Sequence, residues 1–205
     1  MKRTAKNMLL DGGSYCFDFA NTVHSRRDED TYDYLNTYED VIDWSERVNL
    51  LPKDRLQKLR EYAAADKKEA IQKLKEIIEK RELLYVILSS IIQNKNIDET
   101  KIGEFNKFLS ESLSHLRLRI NKQNIIIEWQ QDKIDLTEPL WAVYKDAYDI
   151  ITTAQLDRIK ECKACGWVFI DKSKNNSRTW CNMQTCGSID KAKRYYYNTK
   201  KKKKK

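Results

Sequence analysis

The sequence predicts an α+β fold, in which a mostly helical body with a small β-hairpin precedes a small C-terminal module. Three observations support this prediction. The 205 residues include only 5 Gly and 2 Pro, which is too few for an all-β fold rich in turns. Lys, Glu, Leu and Ile are abundant, and this composition favours helices. Four of the five cysteines lie between Cys162 and Cys186, which sets the C-terminal end apart from the body.

Apolar residues at helical spacing predict four helices in the first part of the body. The segment 37–52 places Val41, Trp44 and Val48 on one side, with Thr37 as its N-cap. A shorter helix is predicted over 53–64, a long amphipathic helix over about 66–94, and a further helix over 97–114. The buried stripes of the last two helices are predicted to be Ile71, Leu74, Ile78, Leu84, Leu88 and Ile91, and Ile102, Phe105, Phe108 and Leu109.

The period of the pattern changes after residue 114. Residues 115–120 alternate apolar and basic, 121–124 form a turn cluster, and 125–130 are rich in β-branched residues, which predicts a β-hairpin. Helical spacing returns over 135–162, so this helix is expected to run almost directly into Cys162. The short aromatic segment 15–23 fits either a strand or a helix.

Apolar runs and cysteine usage together predict the compartment. The sequence has no apolar run of about 18 residues and no apolar stretch typical of a signal peptide near its start, so we expect a cytoplasmic protein without a membrane segment. Thiols stay reduced in the cytoplasm, so four clustered cysteines are expected to bind a metal rather than form disulfides. Cys16 lies far from the cluster and is expected to be a small buried hydrophobe.

Charge is distributed unevenly along the chain. Residues 158–205 contain 15 Lys and Arg against 3 Asp and Glu, a net charge of +12, whereas residues 1–157 contain 24 against 28, a net charge of −4. The all-lysine segment 200–205 supplies six of the positive charges, and without it the region still carries +6. This asymmetry favours a polyanionic partner for the C-terminal part. A lysine tail that only aids solubility is the alternative.

The cysteines follow the pattern Cys162-x2-Cys165-x15-Cys181-x4-Cys186. Two such pairs are typical of a structural zinc site, because four thiolates hold Zn²⁺ in tetrahedral geometry and leave no open position for catalysis. A redox dithiol at Cys162 and Cys165 is the alternative, and it would leave the second pair unexplained. We therefore expect one structural Zn²⁺ with all four cysteines as ligands.

The residues around the cysteines predict how the metal site is built. Gly166 follows the first pair, where a positive φ eases the turn, and the alternating segment 167–173 fits one arm of a hairpin. Residues 188–198 have the pattern of a helix, so Cys186 lies near a helix N-terminus, where backbone N–H groups stabilise a thiolate. Together these parts predict a treble-clef-like zinc finger over 158–198, attached to a body over 1–157, with a disordered lysine tail over 199–205.

This C-terminal region resembles the CGNR zinc finger. That family has two spaced cysteines followed by G-W-x-F-x-D-x-S-x-N-x-x-R-R-W-C, and later C-G-N-R before a basic helix. The body is similar to the ABATE domain that usually precedes this finger, through segment 12–23 and the helix near 38–51. The matching finger residues are Cys162, Cys165, Gly166, Trp167, Phe169, Asp171, Ser173, Asn175, Arg178, Trp180, Cys181, Cys186 and Gly187.

The resemblance implies a bacterial, stress-linked transcription regulator whose finger binds DNA. The sequence departs from the family pattern at two places. Ser188 and Ile189 stand where the family has Asn and Arg, and Thr179 replaces the second Arg before the tryptophan. Both changes remove polar or basic groups that suit phosphate contact.

A helical projection of residues 188–198 separates two faces. Ile189, Ala192 and Tyr196 share a face that is expected to pack on the zinc core, and the opposite face is basic with an interleaved tyrosine, which fits phosphate contact and stacking. A merely solvated amphipathic helix is the alternative. Trp167 and Trp180 are expected to fill the small core of the finger. The candidate nucleic-acid-binding residues are Arg178, Lys172, Lys174, Lys191, Arg194 and Tyr195.

Three functions are compatible with these features. The leading hypothesis is a DNA-binding regulator, and the alternatives are a finger that binds another protein and an RNA-binding protein; a homodimer is also compatible. An enzyme is the least supported class, because no nucleophile–base arrangement or phosphate-binding glycine loop is evident. Asp18 and Asn21 are expected to cap turns and His24 to be exposed, with a polar ligand pocket at these three residues as the alternative.

Overall fold

The computed structural model describes residues 3–122, 124–130, 132–153 and 155–203, together with the side chains of these residues except Arg194 and 197–203. Seven α-helices and two small antiparallel hairpins occupy this part of the chain. In chain order the elements are α1 (Tyr15–Ala20), α2 (Tyr38–Arg47), α3 (Lys53–Ala65), α4 (Lys67–Ile92), α5 (Glu99–Ser114), β1 (Leu116–Asn121), β2 (Asn124–Trp129), α6 (Pro139–Thr153), β3 (Ile159–Glu161), β4 (Val168–Ile170) and α7 (Ser188–Lys203). The α+β fold class that the sequence predicts is confirmed.

The predicted helix starts of α2 and α4 are confirmed by their caps. Thr37 and Asp40 form a capping box at α2, in which each side chain accepts a hydrogen bond from the other's backbone N–H. At α4 the Asp66 carboxylate accepts a hydrogen bond from Glu69 N at 2.9 Å. The ambiguous aromatic segment forms the short helix α1, and Ser14 caps it.

The core of the body lies where α1, α4, α5 and α6 pack together. Tyr144 on α6 is fully buried, and its ring stacks on Phe105 at 5.1 Å and meets Phe108 edge-on at 4.6 Å between centroids. Next to the core, Arg55 forms a bidentate ion pair with the fully buried Glu138. These contacts close the interior of the helical body.

Two residues of the predicted stripes are exposed instead. In α4 the buried positions run through Ala70, Leu74 and Ile77, which places Ile71 beside the stripe, and Ile71 is 60% exposed. In α5, Ile102 is 38% exposed because it lies in the first turn, before the residues that reach Tyr144. Both predictions were therefore wrong by a fraction of a helical turn. The spacing of apolar residues locates the buried face of a helix only to within about that distance.

The predicted hairpin is confirmed as β1 and β2, paired antiparallel from Leu116 with Trp129 to Asn121 with Asn124. Its five aliphatic side chains between these ends, those of Leu118, Ile120, Ile125, Ile126 and Ile127, are 49–68% exposed. The hairpin thus protrudes from the body rather than covering its core.

The approach to the cysteines differs from the prediction of one continuous helix. The helix α6 ends at Thr153, a short 3₁₀ turn follows at Leu156–Arg158, and β3 leads into Cys162. The strand forms because β4 offers its backbone as a partner, with Ile159 opposite Ile170 and Glu161 opposite Val168. Ile159 is buried. Tertiary packing therefore determines that this segment forms a strand, although its local pattern suits a helix equally well.

Candidate metal centre and cationic helix

The first cysteine pair lies on the turn that joins β3 to β4. Gly166 N donates to Cys162 O at 2.9 Å, and Cys162 N donates to Trp167 O at 2.7 Å, which fixes the tight turn. Gly166 has a φ of +76°, and a Cβ there would lie 3.1 Å from Cβ of Arg26. The expected positive φ at Gly166 is confirmed. The close contact of Arg26 with the backbone at Gly166 is a second reason for glycine at this position.

The second pair is positioned by Asn182. Its side-chain oxygen accepts hydrogen bonds from Gln184 N at 2.9 Å and Thr185 N at 3.2 Å, and this starts a single π-helical turn, Met183–Gly187. Cys186 lies in that turn, immediately before α7 begins at Ser188. The helix therefore starts at the ligand, as the sequence predicts.

The four sulfurs form one cluster. The Sγ atoms of Cys162, Cys165, Cys181 and Cys186 all lie within 4.8 Å of one another, and Cys181 Sγ is 3.7 Å from Sγ of both Cys165 and Cys186. A tetrahedral zinc site with Zn–S bonds of about 2.3 Å has sulfur–sulfur edges of about 3.8 Å. The donor set and its spacing therefore fit a metal ion, and zinc suits four sulfurs best.

The protonation of the cluster also suits a cation. Hydrogen bonds from Cys165, Cys181 and Cys186 lower the pKa of Cys162, whereas the same crowding of sulfurs raises the pKa of Cys181. Four neighbouring thiols cannot all ionise without a positive charge among them. A bound divalent cation would supply that charge, and Cys162, Cys165 and Cys181 are buried around the position that it would occupy.

The finger is joined to the body by backbone hydrogen bonds. Arg26 N donates to Cys165 O at 2.8 Å, Ile170 N donates to Gly12 O at 3.0 Å, and the Trp167 indole N–H donates to Val23 O at 2.7 Å. Trp167 is buried, as the sequence predicts. Residues 12–26 of the body and the helix α4 therefore both form the platform for the finger.

Comparison with known families gives two matches. The ABATE model, described as "Putative stress-induced transcription regulator", matches residues 13–154, and the CGNR zinc finger model matches residues 158–198. This chain is a member of the ABATE family. The two matched segments occur in the order expected from the sequence, and no curated protein matches the chain significantly. Each helix in the described part of this ABATE protein is too short or too polar to cross a membrane.

In this ABATE protein, Asp171 organises the loop between the cysteine pairs. Its fully buried carboxylate accepts hydrogen bonds from Lys160 Nζ at 2.8 Å, Ser173 N at 2.9 Å and Arg178 N at 2.7 Å. Although burial alone would raise its pKa, these hydrogen bonds hold the pKa of Asp171 below its usual range. Sequence reasoning matched this aspartate to the CGNR pattern but assigned it no role.

The loop that Asp171 holds carries three of the candidate nucleic-acid-binding residues. Lys172 and Lys174 are exposed on it, and so is Arg178. However, the Arg178 guanidinium also donates to the carbonyl of Cys181 and lies 5.1 Å above the ring of Phe169. Arg178 therefore supports the second cysteine pair in addition to any role at the surface.

The helix α7 projects from the finger, and its backbone continues to Lys203, five residues into the segment predicted as a tail. Lys191 is exposed and Tyr195 is 75% exposed. The prediction of a packed face is wrong, because Ile189 and Tyr196 are 53% and 55% exposed and Ala192 is exposed as well. The small metal core covers only the start of the helix. The predicted side-chain role of Arg194 and the last lysines, 204–205, lie outside the described residues.

Asp18, Asn21 and His24 do not meet in one pocket. Asp18 accepts a hydrogen bond from Gly12 N at 2.9 Å, which confirms the turn cap, whereas the Asn21 side chain binds the backbone of β4. His24 is half-buried rather than exposed, since its ring stacks on Tyr32 at 4.5 Å between centroids. Burial lowers the pKa of His24 and favours its neutral form.

Proposed function

We propose that this ABATE protein is a DNA-binding transcription regulator, in which one Zn²⁺ folds the CGNR finger and α7 contacts the phosphates of duplex DNA. The observation that carries the proposal is the exposure of the described side chains of α7 beyond the metal centre, which are those of Lys191, Ala192, Lys193, Tyr195 and Tyr196. A helix of this kind fits the major groove of DNA or lies along its backbone. The transcription-regulator description of the family supports the same function.

Charge supports a nucleic-acid partner. Residues 158–205 carry a net charge of +12 and residues 1–157 a net charge of −4, so a polyanion is attracted to the finger and repelled by the body. Four thiolates with one Zn²⁺ add two negative charges, which leaves the C-terminal part strongly basic. The exposed Lys172, Lys174 and Lys191 provide phosphate contacts that do not depend on base sequence.

The same function implies a role and a compartment for the protein. It assigns the protein a regulatory rather than an enzymatic role in the cytoplasm. A metal site with four protein ligands supports this assignment, because such a site has no open position for a substrate. The following experiment distinguishes DNA binding from RNA binding, and no binding of either nucleic acid would favour a finger that binds another protein.

The test measures the binding of the full-length, zinc-loaded chain to a labelled duplex by fluorescence anisotropy, between about 50 and 200 mM salt. We expect the logarithm of the binding constant to fall linearly with the logarithm of salt concentration, by about 0.9 for each phosphate neutralised. A single-stranded RNA of equal length serves as the competitor. Preference for the RNA, or binding that does not change with salt, would overturn the DNA proposal.

Matched charge reversals locate the contact surface. One variant carries Lys172→Glu, Lys174→Glu and Lys191→Glu on the finger. The control carries Lys58→Glu, Lys68→Glu and Lys101→Glu, which are exposed on the helices of the body. Both variants change the net charge equally. Only the finger variant should reduce the salt slope and weaken binding; equal loss in both variants would show that general charge, not the finger, attracts the DNA.

A further inference from the structure

A cavity of about 360 Å³ lies between the body and the finger. Its walls come from the N-terminal segment, from residues 24–34 of the body and from the finger on both sides of the second cysteine pair. Pockets for small molecules in proteins typically start at about 300 Å³. The cavity is therefore large enough for a small organic ligand, and both parts of the protein would contact it.

One wall of the cavity is aromatic. His24, Tyr32, Tyr34 and Trp167 line it, and their mutual contacts hold the rings in place. His24 stacks on Tyr32 at 4.5 Å between centroids, and its Nδ1 lies 3.1 Å from the hydroxyl of Tyr34. A preorganised wall of this kind suits a flat ring, by stacking, and a cation, by attraction to the ring faces.

Two residues that line the cavity, Asp11 and Thr185, each carry a buried polar atom that lacks a partner among the described side chains and backbone groups. Oδ2 of Asp11 and Oγ1 of Thr185 are buried and accept or donate no hydrogen bond there. The other carboxylate oxygen of Asp11 is already used, since it accepts a hydrogen bond from Asn182 Nδ2 at 3.1 Å. Buried polar atoms are nearly always satisfied in native proteins, so a hydrogen-bond donor belongs opposite Asp11.

The charges around the cavity favour a positive ligand. Asp11 and Asp28 line it, and so do three of the four cysteines, whose cluster carries a net charge of −2 when it holds one divalent cation. Arg3 and Lys193 line the cavity as well, but these two positive charges only balance the two aspartates. The net charge of −2 on the metal-loaded cysteine cluster is then not balanced by other charges at the cavity, and this negative charge attracts a cation.

We propose that this cavity is a binding site for a small aromatic amine. The ring stacks against the aromatic wall, and the ammonium group donates to Oδ2 of Asp11 and to Oγ1 of Thr185. Because Asp11 also holds Asn182, which starts the turn bearing Cys186, the ligand would touch the element that positions α7. The proposal does not depend on DNA binding and is tested separately from it.

The experiment uses isothermal titration calorimetry on the full-length, zinc-loaded chain. The probes are benzylamine, tyramine and tryptamine, each compared with the carboxylic acid of the same ring: phenylacetate, 4-hydroxyphenylpropionate and indole-3-propionate. Propylamine tests whether the ring is needed. We expect saturable binding of one amine per chain, at least about tenfold tighter than that of its matched acid or of propylamine. Failure of all three amines to bind would overturn the proposal and leave water as the occupant, and equal binding of the acids would overturn the role of Asp11 as partner of an ammonium group.

Two variants test the polar contact. Asp11→Asn removes the charge but keeps an oxygen for Asn182, and Thr185→Val removes the hydroxyl at nearly constant shape. Glu104→Gln, exposed on α5, is the control for net charge. We expect amine binding to weaken at least about tenfold in Asp11→Asn, to weaken less in Thr185→Val, and to stay unchanged in the control, with equal zinc content in all three. Unchanged amine binding by Asp11→Asn would place the amine elsewhere.

Discussion

The side chain of Asn21 forms two hydrogen bonds with the backbone of Val168. Its amide group donates to Val168 O at 2.8 Å, and its oxygen accepts from Val168 N at 3.0 Å. Asn21 is fully buried, so it takes the place of a neighbouring strand along the free edge of β4. A residue of the body thereby satisfies the backbone of the finger beside its first cysteine pair.

Replacing Asn21 is expected to weaken the junction strongly. Asn21→Ala leaves a buried N–H and a buried C=O of Val168 without partners, and each such group costs about 1–3 kcal/mol. We expect the free energy of unfolding, measured by urea denaturation, to fall by about 2–5 kcal/mol. Asn106→Ala, an exposed substitution on α5, is the control and should change it by less than about 0.5 kcal/mol. If both variants lowered the free energy of unfolding by the same small amount, the hydrogen bonds of Asn21 would contribute little to stability.

Burial of Asp18 predicts a stability that depends on pH. Burial, together with the nearby Asp11 and Asp146, raises the pKa of Asp18 from 3.8 to about 6, despite the hydrogen bond from Gly12 N. Between these two pH values the folded state holds a proton that the unfolded chain releases, so the free energy of unfolding falls as pH rises. Above about pH 6 the loss is complete.

The variant Asp18→Asn should remove this dependence while keeping an oxygen for Gly12 N. Relative to the unmodified chain, we expect its free energy of unfolding to be higher at pH 8, by up to about 3 kcal/mol, and the difference to shrink as pH is lowered toward 5. Urea denaturation at each pH provides the measurement. Asp30→Asn, at an exposed position, should show no such trend. A difference that grows toward low pH would refute the prediction.

The cysteine cluster predicts a metal-dependent finger on a metal-independent body. Protein purified without chelator should contain one zinc per chain by atomic emission, and Cys181→Ser should lose it. Because structural zinc contributes on the order of 10–16 kcal/mol to such modules, chelation should remove hydrogen-exchange protection from residues 162–187 but not from α4 and α6. Cys16→Ser, which changes the buried cysteine outside the cluster, should keep the metal. A zinc content near zero in the unmodified chain would contradict the metal site.

Arg178 and Lys191 should differ in what they support. The Arg178 guanidinium holds the Cys181 carbonyl, and loss of such supporting contacts costs about 10–100-fold in metal affinity. We therefore expect Arg178→Ala to weaken both zinc affinity, measured by chelator competition, and DNA binding. Lys191→Ala should weaken only DNA binding, because Lys191 is exposed on α7. Equal zinc affinity in both variants would remove the structural role of Arg178.

Sequence reasoning succeeded where one local pattern decided the structure. The spacing of the four cysteines, the glycine after the first pair, the capping box at Thr37 and the alternation in the hairpin each specify their own geometry. These features identified the four cysteines that form the cluster, and the helical body, without knowledge of tertiary contacts.

Predictions from the sequence failed where contact with a distant segment of the chain determines the local structure. The residues before Cys162 suit a helix but form β3, because β4 offers a partner. Asparagine is a residue type that often caps turns, yet the side chain of Asn21 forms its hydrogen bonds with Val168, 147 positions later in the chain. No periodicity signals such a pairing. The exposed face of α7 was misjudged for a related reason, since the sequence does not show how little surface a small metal core can cover.

The hydrogen bonds that Gly12 and Val23 accept from the finger, and those that Asn21 exchanges with Val168, have a consequence for protein engineering. Exchanging the finger between two members of the family at residue 158 would separate β4 from the residues of the body that border its free edge. A functional chimera therefore has to carry residues 12–23 along with the finger, although Asn21 and Val168 lie 147 positions apart.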